Sequence, residues 1–249
     1  MLLSLKSRVV TAEVLDGLAA EDPAAQRSRR DLQRIHRVMG TRGILLEVFA
    51  KYANAPPGLA PLRVLELGAG DGSLLLGVAE ALRSRTPATQ PVRRVELSLL
   101  DRQALVSPAT IERYAQAGWI VRPCVGDVAA WIADASPASR WDLIVANLFM
   151  HHFETNDLAA LFKAIAQRCD RFFACEPRRG WAALAGSYLV GALGANAVTR
   201  GDAVLSVRAG FAGQELSALW PATHGGWRLN EFSAVPFSHC FDATRNELP

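Results

Sequence analysis

A short apolar run leads directly into a turn that holds three glycines, with acidic residues on either side of the first two. The segment reads Val64-Leu65-Glu66-Leu67-Gly68-Ala69-Gly70-Asp71-Gly72-Ser73. Glycine has no side chain, so the backbone turns tightly there and approaches a ligand closely. The start of the following helix offers free N–H groups and the positive end of the helix dipole. The segment therefore predicts a site for a nucleotide-like ligand at the carboxyl ends of the strands.

The spacing of these glycines favours a cationic ligand over a dinucleotide. The dinucleotide fingerprint G-x-G-x-x-G needs a glycine at position 73, which is Ser73, and the spacing found is G-x-G-x-G. Glu66 lies two residues before the first glycine. A carboxylate at that place is unfavourable beside a pyrophosphate and favourable beside an ammonium or sulfonium group.

Two further acidic residues follow later apolar runs of the same region. Asp101 ends one run, and Asp127 comes just after the next. Taken singly, an aspartate at a strand end more often caps a helix or forms a turn. The glycine turn, Asp101 and Asp127 nevertheless recur at successive strand ends, and together they indicate a single ligand site.

The residues Glu66 to Ser73, ELGAGDGS, resemble motif I of the class I S-adenosylmethionine-dependent methyltransferases. The later motifs of that family follow in the expected order, and the resemblance covers roughly Leu62 to Pro177. It implies S-adenosyl-L-methionine as the cofactor, with Asp101 binding the ribose hydroxyls, Asp127 the adenine amine and Val128 offering a backbone contact. The cofactor-binding residues that the resemblance implies are Glu66, Gly68, Ala69, Gly70, Gly72, Ser73, Asp101, Arg102, Asp127, Val128, Asn147 and Leu148.

The loop after the fourth predicted strand carries the candidate catalytic residues, His151 and His152. It reads Asn147-Leu148-Phe149-Met150-His151-His152-Phe153, and in the resembled family it lies beneath the methyl donor and faces the acceptor. A phenol, with an ordinary pKa of about 10, benefits from a base, and a histidine that titrates near neutrality suits that task. In the alternative interpretation, one histidine caps the next helix or binds backbone while the other packs against the cofactor. His224 and His239 are more distant candidates.

The same loop bears on the class of acceptor. It lacks the Asn/Asp-Pro-Pro-aromatic motif of enzymes that methylate the exocyclic amines of bases, which disfavours a nucleic-acid substrate. The pattern N-L-F-x-H-H-F resembles instead small-molecule methyltransferases of the ubiquinone-biosynthesis type and those found beside bacterial polyketide synthases. The stretch GDAVLSVRAGF, which ends at Phe211, and the run Glu176 to Arg179 resemble the second group more closely.

An uncharged stretch, Trp181 to Val198, follows the predicted sheet and has about the minimum length of a membrane span. Because it contains several glycines and lies within an α/β pattern, a buried or substrate-covering helix is favoured, and contact with a membrane surface stays open. As a cover, the helix would line an apolar acceptor pocket. The expected pocket residues are Trp181, Leu184, Tyr188, Leu189 and Leu193, framed by Arg178, Arg179 and Arg208.

The composition of the chain is that of one compact globular protein. Of 249 residues, 50% are hydrophobic and 20% charged. The 27 Lys and Arg against 24 Asp and Glu leave a net charge of +3, too small to predict a nucleic-acid partner. The four cysteines show neither disulfide nor metal-binding spacing, so no metal site is predicted and a reducing compartment is indicated. Without a signal-peptide pattern, the expected location is the cytoplasm.

Strand-like and helical patterns alternate along the middle of the chain. The predicted strands are Arg63 to Leu67, Val95 to Leu100, Trp119 to Cys124, Trp141 to Ala146 and Arg171 to Cys175, and the predicted helices are Asp71 to Arg85, Pro108 to Ala117, Val128 to Ala135 and Asn156 to Arg168. This alternation predicts an α/β fold with a doubly wound, Rossmann-like and mostly parallel sheet. A helix over Gly213 to Trp220 and an antiparallel C-terminal hairpin, Trp227 to Val235 and Ser238 to Thr244, are expected to follow.

The residues before the sheet predict a helical extension. Apolar residues recur at the helical period from Thr11 to Tyr52, with a break near Asp22-Pro23, and the proline-rich run Asn54 to Pro61 predicts a linker. We therefore expect an N-terminal helical extension, residues 1–53, and an S-adenosylmethionine-binding methyltransferase domain, residues 62–249.

Taken together, the patterns predict methyl transfer from S-adenosylmethionine to a small, largely apolar acceptor of phenolic, polyketide-like or lipid-like character. O-methylation is favoured over C-methylation, with His151 or His152 assisting deprotonation. Two alternatives stay open. The basic residues of the N-terminal helices are compatible with an RNA or protein methyltransferase, and a regulatory protein would bind the cofactor without turnover.

Overall fold

The structure, a computed structural model, describes residues 5–53, 60–86, 93–134, 140–221 and 226–246. The helices in these ranges are α1 Val14–Gly17, α2 Pro23–Val38, α3 Thr41–Ala53, α4 Ser73–Arg85, α5 Pro108–Gln116, α6 Val128–Ala133, α7 Thr155–Arg168, α8 Trp181–Leu189, α9 Ala197–Ala209 and α10 Glu215–Leu219. The strands are β1 Leu62–Leu67, β2 Val95–Asp101, β3 Trp119–Val125, β4 Trp141–Asn147, β5 Cys169–Pro177, β6 Trp227–Ala234 and β7 Ser238–Arg245. Short 3₁₀ turns lie at Met150–His152 and Val190–Leu193.

The described strands form one sheet in the order β3-β2-β1-β4-β5-β7-β6. The first five strands pair in parallel, and β7 runs antiparallel to both β5 and β6. The predicted doubly wound α/β sheet with an antiparallel C-terminal hairpin is therefore confirmed. The strand order reverses between β1 and β4, and open α/β sheets bind their ligands at such a switch point.

Both faces of the sheet are covered by helices. Successive side chains of a strand point to opposite faces, so Val64 of β1 joins a core with α3 and α4, whereas Leu65 joins a core with α7. The second core holds a cluster of aromatic rings around Phe162 of α7, in which Phe172 stacks on Trp220 with centroids 5.7 Å apart. Burial on both faces explains why the central strands are nearly continuous apolar runs.

The sequence pattern predicted a single helix over the uncharged stretch Trp181 to Val198. In the structure this stretch is divided between two helices. Helix α8 ends at Leu189, and α9 begins at Ala197. Two residues between them cause the break: Gly194 adopts φ +80°, which few other residues tolerate, and Asn196 caps α9 by accepting a hydrogen bond from Thr199 N–H at 2.8 Å. Among the helices of the described ranges, none is both long enough and apolar enough to cross a membrane.

Of the N-terminal helices, α1 and α2 contact residues at the carboxyl edge of the sheet, whereas α3 packs on one face of the sheet. Asp22 caps α2 by accepting from Ala24 N–H at 2.7 Å, next to Pro23 at the first helical position. Gln33 of α2 then donates to Asp71 of the glycine loop at 2.8 Å. The predicted helices and their break are confirmed, whereas the division into two domains stays a prediction. Of the predicted linker, residues 54–59 lie outside the described ranges, as does His224.

Candidate active site

The glycine loop between β1 and α4 leaves an open side at Gly70. Gly68, Gly70 and Gly72 have φ of +68°, +56° and +72°, values that favour glycine. A Cβ on Gly68 would overlap the ring of Phe149, and a Cβ on Gly72 would lie 2.9 Å from Leu99 Cδ1. By contrast, a Cβ on Gly70 would meet nothing within 4 Å among the described residues. The loop therefore packs closely on both sides of an open space at Gly70.

Glu66, the second last residue of β1, is a buried acid with an unpartnered oxygen. It is 3% exposed, and its Oε2 finds no hydrogen-bond partner among the described residues. Burial raises the pKa of this carboxyl well above its ordinary value, and the charges of Asp71 and Asp101 raise it further. A cation at this place would supply the missing partner and favour the ionised carboxylate. The site therefore fits an ammonium or sulfonium group and disfavours a pyrophosphate.

Asp101, the last residue of β2, faces the glycine loop. Its Oδ2 accepts a hydrogen bond from Gly70 N–H at 2.8 Å, and its Oδ1 accepts one from Gln103 N–H at 2.9 Å. Each carboxylate oxygen can accept about two hydrogen bonds, so capacity is left for the hydroxyls of a ribose. Asp101 thus fixes the loop and offers acceptors beside Gly70.

Arg102, Asp127 and Val128 lie farther out on the same edge. Asp127 is exposed and caps α6 by accepting from Ala129 N–H at 2.7 Å. Val128 packs partly buried against the second core. Arg102 is exposed, with one guanidinium nitrogen 3.7 Å from Asp16 Oδ1. The roles of these three residues toward a cofactor stay predictions.

Asn147 and Leu148 join β4 to the histidine turn, which consists of Phe149 and the 3₁₀ turn Met150–His152. Burial lowers the pKa of His36 to about 4 against the opposing charge of Asp71, so the ring is neutral at pH 7. Its Nε2 accepts a hydrogen bond from Asn147 Nδ2 at 3.0 Å, while Asn147 Oδ1 is buried without a described partner. Leu148 has φ +48°, a strained value for leucine, and its N–H donates to Cys175 O at 3.0 Å. Such strain concentrates at functional sites.

Glu176, near the end of β5, holds the histidine turn in place. Its Oε1 accepts from Phe149 N–H at 3.0 Å and from Met150 N–H at 2.9 Å. Its Oε2 lies 2.8 Å from His151 Nδ1. Glu176 is fully buried, and both of its oxygens are engaged by the histidine turn. Sequence reasoning did not place Glu176 in the site, because nothing local links it to a loop 25 residues earlier.

His151 is a buried imidazolium between two carboxylates. Its Nδ1 faces Glu176, and its Nε2 lies 3.3 Å from Oε1 of Glu13, the residue that precedes α1. Burial alone lowers the pKa of His151, but the hydrogen bonds and charges of Glu13 and Glu176 outweigh that effect and raise the pKa to about 9. His151 therefore titrates above neutrality, not near it as a neutral base requires. Glu13, His151 and His152 each bring one ligand-type atom within 4.8 Å of the others.

The other histidines differ in their surroundings. His152 is partly exposed, its ring centroid lies 4.2 Å from that of His151, and its Nδ1 lies 3.2 Å from Asp16 Oδ2. His239 is buried, and its Nε2 lies 2.7 Å from Glu231 Oε1. Since Glu231 also accepts from the backbone at the start of α10, this pair stabilises the hairpin and helix α10 and lies outside the histidine turn.

An apolar cavity of about 370 Å³ reaches Leu148, the residue just before the histidine turn. Helix α2 forms one wall, α8 with the 3₁₀ turn after it forms another, and α9 forms a third. The remaining lining residues are Glu13, Leu15, Met39, Leu148, Pro177 and Phe237. Its titratable lining residues are Glu13 and Asp202. The size and lining suit a small apolar ligand.

The cavity corrects part of the predicted acceptor pocket. Leu189 and Leu193 line it as expected, whereas Trp181, Leu184 and Tyr188 do not. Trp181 and Tyr188 are exposed, and Leu184 packs in a small core of α8 and α9. The three predicted framing arginines are also absent from the lining. Arg178 donates to Pro236 O at 3.0 Å, and Arg179 pairs with Glu215 at 2.5 Å, so both tie backbone segments together, and Arg208 does not reach the cavity either.

The raised pKa of His151 predicts a pH-dependent contribution to stability. A histidine whose pKa rises from 6.5 to about 9 on folding stabilises the fold fully below pH 6.5 and loses that contribution as pH rises through 9. The shift corresponds to a contribution on the order of 3 kcal/mol. We expect the difference in unfolding free energy between the wild type and His151→Gln, measured by urea denaturation, to shrink between pH 6.5 and 9. A difference that stays constant over this range would contradict the imidazolium assignment.

Comparisons with known proteins bear on the fold. No protein-family model matches the chain, and neither does any curated protein. An O-methyltransferase family protein from Burkholderia thailandensis aligns with a TM-score of 0.58 and 14% identity, covering 91% of this chain and 61% of that one. TnmH aligns with a TM-score of 0.54 and 22% identity, covering 94% and 62%. Human N-acetylserotonin methyltransferase, in complex with SAM, aligns with a TM-score of 0.50 and 12% identity, covering 93% and 61%.

These likenesses extend over most of this chain and only part of the others. The chain spans about three fifths of the length of the matched structures. At such identities the agreement concerns the path of the backbone. The chain has the Rossmann-like fold of the class I S-adenosylmethionine-dependent methyltransferases.

Proposed function

We propose that the protein is an enzyme that transfers a methyl group from S-adenosylmethionine to an oxygen atom of a small, largely apolar acceptor. The observation that carries this proposal is the buried, unpartnered carboxyl oxygen of Glu66 next to an open glycine loop. A sulfonium nucleoside with an ammonium group matches that carboxyl in charge. Solved structures of the same fold include one crystallised with SAM, which supports the choice of ligand.

Several side chains would hold the cofactor. Glu66 would face the positively charged end of the cofactor. The open space at Gly70 would let the cofactor approach the backbone closely, and Asp101 would accept hydrogen bonds from its ribose hydroxyls. When bound, the cofactor supplies an electrophilic methyl group. The other proposed contacts are those of Gly68, Ala69, Gly72, Ser73, Arg102, Asp127, Val128, Asn147 and Leu148.

The chain's main task in such a reaction is alignment and exclusion of water. Methyl transfer is an in-line displacement, so holding the two reactants in position supplies much of the rate. The apolar cavity keeps water from the acceptor. Its lining includes Leu148, the residue directly after the end of β4 at Asn147. This arrangement supports an apolar acceptor such as a phenol.

The two histidines are proposed to differ in role. His151 holds a proton at neutral pH and binds a carboxylate through each ring nitrogen, so it positions Glu13 and the turn. His152 contacts Asp16 through Nδ1 and is partly exposed. His152 is therefore the better candidate for assisting deprotonation of the acceptor.

A transfer assay with the intact protein tests the proposal. Methyl-labelled S-adenosylmethionine and the protein would be incubated together with one acceptor fraction per reaction: a panel of phenols, a lipid extract, total RNA or total protein. We expect label in the phenol or lipid reactions. Label confined to RNA or protein would defeat the small-molecule proposal, and cofactor binding without transfer to any fraction would favour a regulatory protein. The Glu80→Gln variant, altered at an exposed acid paired with Arg113, serves as a control that should keep full activity.

A further inference from the structure

Glu13 belongs both to the wall of the apolar cavity and to the buried charge cluster of the histidine turn. It lines the cavity, and its side chain is 12% exposed. Its Oε1 lies 3.3 Å from His151 Nε2 and accepts a hydrogen bond from Ser206 Oγ of α9. Glu13 is therefore the point at which the chain Glu176–His151–Glu13 reaches the cavity.

The linked side chains of Glu176, His151 and Glu13 end in a negative charge at the cavity wall. Burial alone raises the pKa of Glu13, but the hydrogen bond and charge of His151, the charge of His152 and the hydrogen bond from Ser206 together lower it below its ordinary value. Glu13 is thus ionised at neutral pH. The histidines that lower its pKa, His151 and His152, are not among the lining residues, so Glu13 places a carboxylate on the cavity wall with no cation beside it in the described lining.

The other polar groups of the cavity make hydrogen bonds within the protein. Asp202 accepts from Val14 N–H at 2.9 Å and from Leu15 N–H at 3.0 Å, one bond to each oxygen. Ser187 Oγ donates to Leu184 O at 2.7 Å. The described lining contains neither lysine nor arginine. An anionic ligand would therefore meet a carboxylate and no balancing cation, which is strongly unfavourable in an apolar site.

We propose that Glu13 selects the acceptor, so that the cavity takes apolar molecules whose polar end donates a hydrogen bond or carries a positive charge, and rejects those that end in a carboxylate or phosphate. As an acceptor preference, this inference rests on the proposed methyl transfer. Phenols, alcohols and amines meet the requirement. Aromatic and fatty acids do not.

Binding of three probes with one apolar body tests the preference without any cofactor. The probes are 2-naphthol, 2-(aminomethyl)naphthalene and 2-naphthoate, titrated by calorimetry into the full chain at pH 7.5. We expect the first two to bind at least about tenfold more tightly than 2-naphthoate, a difference of about 1.4 kcal/mol. In Glu13→Gln, whose side chain keeps its size and loses its charge, the difference should fall below about threefold.

Three further variants make the result decisive. Ala203→Trp should fill the cavity from α9 and weaken all three probes, which locates the binding. Glu80→Gln should leave every affinity unchanged. Ser206→Ala, which removes a hydrogen bond to Glu13 and keeps its charge, should preserve the discrimination. Circular dichroism checks that each variant, Glu13→Gln included, is folded. Equal affinity of the wild type for naphthoate and naphthol, or unaltered discrimination in Glu13→Gln, would overturn the inference. Failure of S-adenosylmethionine to bind would instead refute the proposed function and leave the ligand preference standing.

Discussion

Glu176→Ala is expected to destabilise the protein by about 3–5 kcal/mol, the range for removing one partner of a buried ion pair. The substitution removes the nearer of the two carboxylates that contact His151, leaving only Glu13 at 3.3 Å, and it strips the Phe149 and Met150 N–H groups of their acceptor. The loss of the acceptor for these N–H groups, at about 1–3 kcal/mol for an unsatisfied buried group, accounts for part of this destabilisation. Urea denaturation at pH 7 measures the loss, and the histidine turn should become the part of the chain least protected from hydrogen exchange.

Two matched variants separate charge from packing at this position. Glu176→Gln keeps an acceptor oxygen for the backbone N–H groups and removes the charge, so it should lose less stability than Glu176→Ala. Glu47→Ala, at an exposed position of α3, should change stability by no more than about 0.5 kcal/mol. A Glu176→Ala protein as stable as Glu47→Ala would show that the turn does not depend on this carboxylate.

Glu66→Gln is expected to weaken binding of S-adenosylmethionine by about 10- to 100-fold, the loss of a hydrogen bond to a charged group worth roughly 1.5–3 kcal/mol. The opposite effect is expected on the free protein. Glu66 is buried with one oxygen unpartnered and a raised pKa, so Glu66→Leu should leave the melting temperature without ligand unchanged or raise it. Calorimetry on Glu66→Gln measures the first effect, and thermal denaturation of Glu66→Leu without ligand measures the second.

A further readout follows from protonation at Glu66. Because its pKa is raised in the free protein and a cation favours the ionised form, binding should release protons, and the apparent enthalpy should depend on the ionisation enthalpy of the buffer. Glu66→Gln should abolish that dependence, while Glu80→Gln keeps it. Affinity unchanged in Glu66→Gln would remove the cationic-ligand argument altogether.

The fold was largely predictable because its signals are local. Alternating strand and helix patterns, the glycine turn and the C-terminal hairpin each lie within short windows of sequence. The error at Trp181 to Val198 arose because apolar composition hid two breaks, Gly194 in a left-handed conformation and the cap at Asn196. A capping residue two positions after a glycine was the signal that could have revealed it.

The site was predicted only as far as neighbouring residues specify it. The glycine loop, Glu66 and Asp101 meet because parallel strands end at one edge of the sheet. Glu13 meets His151 across 138 residues, and His36 meets Asn147 across 111. Packing of the N-terminal helices against the rest of the chain creates these contacts. No sequence pattern around Glu13 or His36 predicts them. The same contact with Glu13 shifts the titration of His151 away from the value assumed for an isolated ring.

The walls of the cavity come from residues far apart in the sequence, while the glycine loop is one short segment between β1 and α4. Helix α2 faces α8 and α9 across the cavity, and Glu66, Gly70 and Asp101 are not among the lining residues. Substitutions at lining positions such as Leu32 or Ile35 of α2 and Ala203 of α9 can therefore reshape the cavity while the glycine loop keeps its contacts with Gln33 and Asp101. Related proteins could in this way accept different small molecules and still bind one cofactor.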